Sequence, residues 1–381
     1  MLHRGFGLLG HRRRAVLVTL TVLLGVLVAL AAVAWTTHPA GINLPGVGMA
    51  SPGGPAVADS GPRVTPCGVH LCRYGKHWFL YGATVYDPGL TEPPLSGIDN
   101  PAGTIALARA AHLNTIRLVN YLPDVGDPAA VPFDEVQWVR VDRMIAAAAG
   151  AGMTVALDLS DYRNILWNDC VNPYTADWAR LVSFIANRRN TITGKRYATD
   201  PTISLVSLAG EPLPVGTHTF TATTTGAACT ISYSTGDLTN FYRRTLAEWT
   251  RAAGAVPVTT GGLGYLDFDS GIDWRGIFAL HDDAVCEIKT YAGMLHYAPT
   301  VAAYCARIHK PTVDEEFGWP QSAGDAARAG LFDGTMNKLR SAGIVGAAFW
   351  NLGYQVAGTS YEVNPQTPLT FGAVQRNAPS G

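Results

Sequence analysis

The sequence predicts an α/β domain closed as a (β/α)8 TIM barrel, preceded by one N-terminal transmembrane or signal helix. Apolar strand-type runs alternate almost strictly with helical segments, and eight such runs can be counted. The stretch that holds them is roughly 300 residues long, enough for a barrel of about 250. A 21-residue apolar run, 15–35, stands apart near the N-terminus.

Of the 381 residues, 48% are hydrophobic and 15% charged, which excludes a disordered or collagen-like chain. Lys+Arg number 28 and Asp+Glu 29, a formal net charge of -1. A nucleic-acid partner is therefore not expected, since a general binder carries a basic excess. The charge is uneven, because residues 1–58 hold four Arg and no acid. Arg4, Arg12, Arg13 and Arg14 precede the apolar run, in which Thr19 and Thr21 are polar. About 20 apolar residues cross the hydrocarbon core as a helix, and a basic flank stays in the cytoplasm. Residues 1–14 are thus a basic cytoplasmic N-terminus, and 15–35 anchors the chain in the cell membrane as a single pass. Ala32-Val33-Ala34 has the small-x-small form of a cleavage site, so a cleaved signal peptide and a secreted protein is the alternative. A signal core of about 7–15 residues is shorter than this run, which favours the anchor. Both readings put the remainder outside the cytoplasm. Residues 36–66 hold six Gly and six Pro in 31 positions; they bury too little to offset ordering entropy and form a tether. The barrel is expected over 67–381, as a monomer.

Strands are expected at 79–86, 114–121, 154–160, 202–210, 256–261, 285–291, 311–317 and 344–350. Helices are expected at 104–112, 135–151, 176–188, 238–253, 301–308 and 323–342. A doubly wound open sheet is the rival. Gly262-Leu263-Gly264 lacks the third Gly of the dinucleotide fingerprint, so no cofactor is expected. The six cysteines suit an exported domain and allow 15 connectivities. Cys67 with Cys72, Cys170 with Cys229, and Cys286 with Cys305 are the expected pairs among these. The chain has no Cys-x-x-Cys and no His pair at ligand spacing, so no metal is expected.

Side chains of barrel strands alternate between the lumen and the helix layer. Ile116 and Leu118 then face out and Arg117 faces in; Val155, Leu157 and Leu159 face out, with Asp158 and Ser160 facing in. Val206 and Leu208 face out, while Ser207, Ala209 and Glu211 face in. In the seventh run Val313 and Phe317 face out, so Thr312, Asp314 and Glu316 point in and Glu315 points out. Glu211 and Glu316 end the fourth and seventh strands, and strand C-termini are where this fold builds catalysis. The alternative for each is an ordinary solvated loop carboxylate.

Five stretches, in order, resemble the clan A glycoside hydrolases, closest to family 5 and within it to the β-mannanases. Residues 73–82, Arg-Tyr-Gly-Lys-His-Trp-Phe-Leu-Tyr-Gly, are similar to the opening hairpin and first strand. Leu113-Asn114-Thr115-Ile116-Arg117 resembles the second strand with its active-site Arg. Residues 190–203, with Gly210-Glu211-Pro212, resemble the run into the fourth strand. Residues 310–318 resemble the seventh strand with the nucleophile, and Gly346-Ala347-Ala348-Phe349-Trp350 the eighth with its platform Trp. The resemblance implies a retaining β-glycoside hydrolase acting on a mannan- or glucan-type polysaccharide or oligosaccharide. It assigns Glu211 as acid/base and Glu316 as nucleophile. Arg117 would keep Glu316 ionised, Tyr291 would hydrogen-bond it, and Trp350 would stack on a sugar ring. Lys289, Gly210 and Trp319 complete the implied substrate-binding set.

Three departures stand out. The family's Asn-Glu-Pro is Gly210-Glu211-Pro212 here, removing the amide that binds the sugar 2-hydroxyl. The family's His-x-Tyr is Lys289-Thr290-Tyr291, which puts a cation beside the carboxylates. The third strand ends in Asp158-Leu159-Ser160-Asp161 rather than the cellulase Asp-x-His. Two other functions are therefore carried forward: a non-hydrolytic glycan-binding barrel, and a cell-envelope transglycosylase.

Overall fold

The computed structural model describes residues 63–86, 97–123, 126–264, 270–291, 293–354 and 360–380. The expected helix at 15–35 lies outside the described residues, as does the tether up to residue 62. No helix among the described residues is long and apolar enough to cross a membrane.

The chain opens with a small antiparallel sheet, β1 (Thr65–Cys67), β2 (His70–Arg73) and β3 (Lys76–Trp78). The first half of the barrel follows as β4 (Leu80–Tyr86), α1 (Pro101–Ala110), β5 (Thr115–Val119), α2 (Glu135–Gly150), β6 (Thr154–Asp158), α3 (Ser160–Asn168), α4 (Ala179–Asn187) and β7 (Ile203–Ser207). A hairpin, β8 (Gly216–Thr221) and β9 (Ala228–Tyr233), precedes α5 (Thr235–Ala253). The second half is β10 (Val258–Thr259), α6 (Trp274–Phe278), β11 (Cys286–Lys289), α7 (Ala298–Arg307), β12 (Thr312–Phe317), α8 (Asp325–Ser341), β13 (Gly346–Phe349) and α9 (Pro368–Arg376).

Eight parallel strands run in the order β10-β7-β6-β5-β4-β13-β12-β11. The two edges meet through a parallel bridge between Leu263 and Ile288, where Leu263 N donates to Glu287 O at 3.0 Å, so the sheet nearly closes. Local sequence sets the helix starts. Pro101 opens α1 behind Asn100, whose side chain accepts from Gly103 N, and Asp134 caps α2 through Val136 N. Ser234 and Asp237 form a capping box on α5.

The core has two parts. Ile116, Leu118, Val155, Leu157, Val206, Leu208, Ile288 and Phe349 join the large cluster between strands and helices. Leu80, Ala156, Leu205, Val313 and Ala348 fill the lumen, together with Leu71 from the opening sheet and Val64 just before it. The opening sheet therefore plugs the base of the barrel. Three disulfides join Cys67 to Cys72, Cys170 to Cys229, and Cys286 to Cys305, the expected pairs. Cys67, Cys72 and His77 lie close enough to share a metal, but the two sulfurs are bonded to each other.

Alternation holds through β5 and β6 and fails in β12. Glu287 pairs with Val313 and Ile288 with Asp314, but Lys289 pairs with Glu316. A bulge therefore leaves Glu315 as an extra residue. Val313 faces the lumen, Asp314 shares the outward face with Ile288, and Glu315 turns in with Glu316. The expected orientations of Thr312, Val313, Asp314 and Glu315 are thus reversed. Ala209, expected inside, packs in the outer cluster, because β7 ends at Ser207 and its alternation ends with it.

Candidate active site

A cleft of about 360 Å³ opens at the C-terminal end of the barrel and is lined by Arg117, Asp158, Glu211, Lys289, Glu316 and Trp350, among others. Its floor is a buried charge network, and Arg117 is the centre. Arg117 Nη1 donates to Glu316 Oε2 at 2.7 Å and to Thr84 Oγ1 at 3.0 Å. Its Nη2 pairs with Asp158, and its Nε lies 3.3 Å from Glu315 Oε2. Three carboxylates around one guanidinium raise its pKa despite the opposing effect of burial.

Glu316 is the penultimate residue of β12, with its side chain 7% exposed. Tyr291 OH donates to its Oε1 at 2.7 Å, and Lys289 Nζ lies 3.2 Å from its Oε2. Burial pushes the Glu316 carboxyl up, but Lys289, Arg117 and the Tyr291 hydrogen bond together hold it below its ordinary value. The Tyr291 hydroxyl is correspondingly raised, by burial first and then by the Glu316 charge.

Glu211 follows β7 in a left-handed backbone conformation, φ 51°. Backbone contacts pin it there. Its N–H donates to Gly262 O at 2.9 Å, and its carbonyl accepts from Arg163 Nη1 at 2.9 Å. Its side chain is 39% exposed to the cleft, and its Oε2 lies 3.5 Å from Lys289 Nζ. One ammonium thus sits between the two carboxylates. Their nearest oxygens are no further apart than those two Lys289 contacts placed end to end. Burial opposes the Lys289 charge, yet Glu316 and Glu211 raise its pKa, so it stays an ammonium.

Glu315 lies fully inside. Its Oε1 accepts from Gly262 N and sits 3.9 Å from Lys289 Nζ. Ser207 Oγ stands between two carboxyls, 3.1 Å from Glu315 Oε2 and 2.8 Å from Glu287 Oε2. A hydroxyl has one hydrogen, so one of these contacts needs a proton on the carboxyl. Glu287 is the group that holds it, since burial and the Glu315 charge push its pKa far up. Burial raises Glu315 too, but Arg117 and Lys289 pull it back.

Gly210 explains its own lack of a side chain. A Cβ there would stand 3.1 Å from Gly262 N and 3.3 Å from Glu315 Oε1. Trp350 lines the cleft, but Trp319 does not. Its Nε1 donates to Thr335 Oγ1 at 3.3 Å, and it lines a separate small cavity with Arg328 and Phe332. Trp319 and Gly210 are the two expected substrate-binding residues that lie outside the cleft lining. Sequence reasoning missed Arg163, Asn120, Asn164 and Tyr361, all of which line the cleft. Arg163 and Asn164 sit on α3, whose polar first turn directly after a strand was the signal available.

No family model matches the chain, and no curated protein matches it. Solved structures do. An endo-1,4-beta-mannanase from Rhizomucor miehei superposes with a TM-score of 0.65 at 18% identity, covering 83% of this chain and 99% of that one. A glycoside hydrolase family 5 mannosidase from the same organism gives 0.61 at 14%, covering 84% and 98%. An endo-beta-1,4-mannanase from Thermotoga petrophila gives 0.60 at 17%, covering 80% and 78%. At these identities the likeness is one of fold: this chain is built on the same barrel as those glycoside hydrolases.

Proposed function

We propose that this protein is a retaining β-glycoside hydrolase that cleaves a β-linked polysaccharide or oligosaccharide of mannan or glucan type outside the cytoplasm. The observation that carries the reading is Glu316, held ionised by Lys289, Arg117 and Tyr291, facing Glu211 across one shared ammonium. Glu316 attacks the anomeric carbon while Glu211 donates a proton to the departing glycosidic oxygen. Water then attacks the glycosyl-enzyme, gives its proton to Glu211, and frees Glu316. A retaining pair needs its carboxyls about 5–5.5 Å apart and an inverting pair roughly 6.5–9.5 Å. Contacts of 3.5 and 3.2 Å to one shared ammonium are compatible with the retaining spacing. Trp350 would offer a sugar its indole face. The basic N-terminus, the apolar run and three disulfides support an exported domain on a membrane anchor.

The test is turnover on a panel of β-mannans, β-glucans and their aryl glycosides. Glu316→Gln should abolish turnover and leave the fold intact. Glu211→Ala should keep the first step on aryl glycosides with good leaving groups, and azide should restore turnover with net retention. Equal, small effects of both substitutions on a measurable activity refute the assignment.

One observation favours a second reading, a glycan-binding barrel without hydrolysis. Lys289 pairs with Glu211, and a general acid must give up that ion pair to carry a proton. Calorimetric binding of the same glycans, without product formation, would select it.

A further inference from the structure

The bulge in β12, the missing side chains at Gly210 and Gly262, and the cation at position 289 meet at one point. A Cβ at Gly262 would fall 2.4 Å from Lys289 Cγ and 2.6 Å from Glu315 Oε1. A Cβ at Gly210 would press on the same Glu315 oxygen, at 3.3 Å. The space that an Asn at 210 would use is therefore the space into which the bulge delivers Glu315. Glu315 in turn is held by Gly262 N, Ser207 Oγ and Arg117, and its Oε1 faces Lys289 Nζ at 3.9 Å. Lys289 Nζ ends between the two carboxylates proposed to act on the anomeric centre.

We propose that Lys289 is the residue that donates to the sugar's 2-hydroxyl oxygen, in place of an amide at 210, and that Glu315 is the positioning residue that fixes its ammonium there. The inference rests on the glycoside hydrolase reading and names a further group in that site. In the resting site the ammonium hydrogens serve Glu316 and Glu211. As Glu316 forms its bond to the anomeric carbon it gives up negative charge, and Lys289 loses its nearest acceptor. The 2-hydroxyl oxygen, one atom from the anomeric carbon, becomes the replacement. An ionic donor bonds more strongly than a neutral amide, and contacts to this hydroxyl strengthen in the transition state. Absence of the amide at 210 and presence of the cation at 289 are thus two halves of one exchange.

The test is a cycle of enzyme and substrate changes on the full-length protein. The substrates are an aryl β-mannoside, an aryl β-glucoside and the aryl 2-deoxy β-glycoside, which is the analogue of both. For the wild type, removing the hydroxyl should cost about 100-fold or more in kcat/KM. Lys289→Met should lose a similar factor on the parent sugars, yet lose less than about 10-fold further when the hydroxyl is removed. Glu315→Gln, nearly isosteric, should lower kcat on the parent sugars with KM little changed, and should also blunt the hydroxyl's effect. Equal losses on parent and 2-deoxy substrates for Lys289→Met overturn the inference while leaving the hydrolase reading intact. If the wild type binds these glycosides without turning them over, the hydrolase reading falls. The inference falls with it, because the ammonium is released to the hydroxyl only as Glu316 bonds to the anomeric carbon. Absence of both turnover and binding overturns the two together.

Discussion

Replacing Arg117 by Met removes the guanidinium on which the floor of the cleft depends. Arg117 is 2% exposed, and its partners Asp158, Glu315 and Glu316 are 1%, 2% and 7% exposed at the side chain. Methionine fills much of the volume, so the cavity effect is small and the electrostatic effect dominates. Breaking a buried pair from one side leaves uncompensated charge and costs about 3–5 kcal/mol; three carboxylates on one cation place this site at the upper end. The loss must depend on pH, and its sign can be worked out. In the wild type the folded-state pKa of Glu316 is depressed, so its stabilisation is present above the unfolded value of about 4.3 and is lost as pH falls through the folded value. Without Arg117, Glu315 and Glu316 keep only Lys289 as a cation, and their folded pKa values rise. They then penalise the fold above those values and cease to do so once protonated. The difference between variant and wild type should therefore be largest near about pH 7 and shrink towards about pH 4.5. Urea unfolding followed by tryptophan fluorescence at both pH values, with disulfides intact, measures it. A loss below about 1 kcal/mol at neutral pH, or one equal at both pH values, refutes the charge-network argument.

Gly210→Asn should destabilise the fold by about 1–3 kcal/mol through overpacking and should lower activity, because the new amide must displace Glu315; a gain in rate would count against the crowding seen at 210. The chain-entropy account ranks the disulfides by loop length. The double Cys→Ser variant at 170 and 229 should lose about 4 kcal/mol and that at 67 and 72 about 2 kcal/mol, a ranking that denaturant melts can reverse. Trp350→Ala should weaken glycan affinity at least about 10-fold, as expected for a stacking platform. Trp319→Ala should leave affinity unchanged and lower the melting temperature, and a drop in affinity would return Trp319 to the cleft.

Much of this molecule is legible from local sequence. Eight apolar runs marked the eight barrel strands, since a strand buried on both faces needs continuous apolar character. Alternation around Arg117, Asp158 and Ser207 placed those side chains inside, because period-2 geometry is a property of each strand alone. Two of the three disulfides are legible because Cys67 with Cys72, and Cys286 with Cys305, each flank one loop or strand–helix unit, whereas Cys170 and Cys229 pair across 59 residues. Alternating residues in β8 and β9 are equally readable, as their burial shows.

The tertiary structure decided what alternation could not. Whether Glu315 points in or out depends on the register of β12 against β11, and a bulge leaves no mark in the composition of either strand. Trp319 lies only three residues beyond Glu316, yet the turn after β12 sends its indole to Thr335 on α8. Lys289, Gly210, Gly262 and Glu315 belong to four separate stretches of chain. Their mutual dependence arises where strand ends converge in a closed barrel, where the volume left vacant by one residue is filled by a residue distant in sequence.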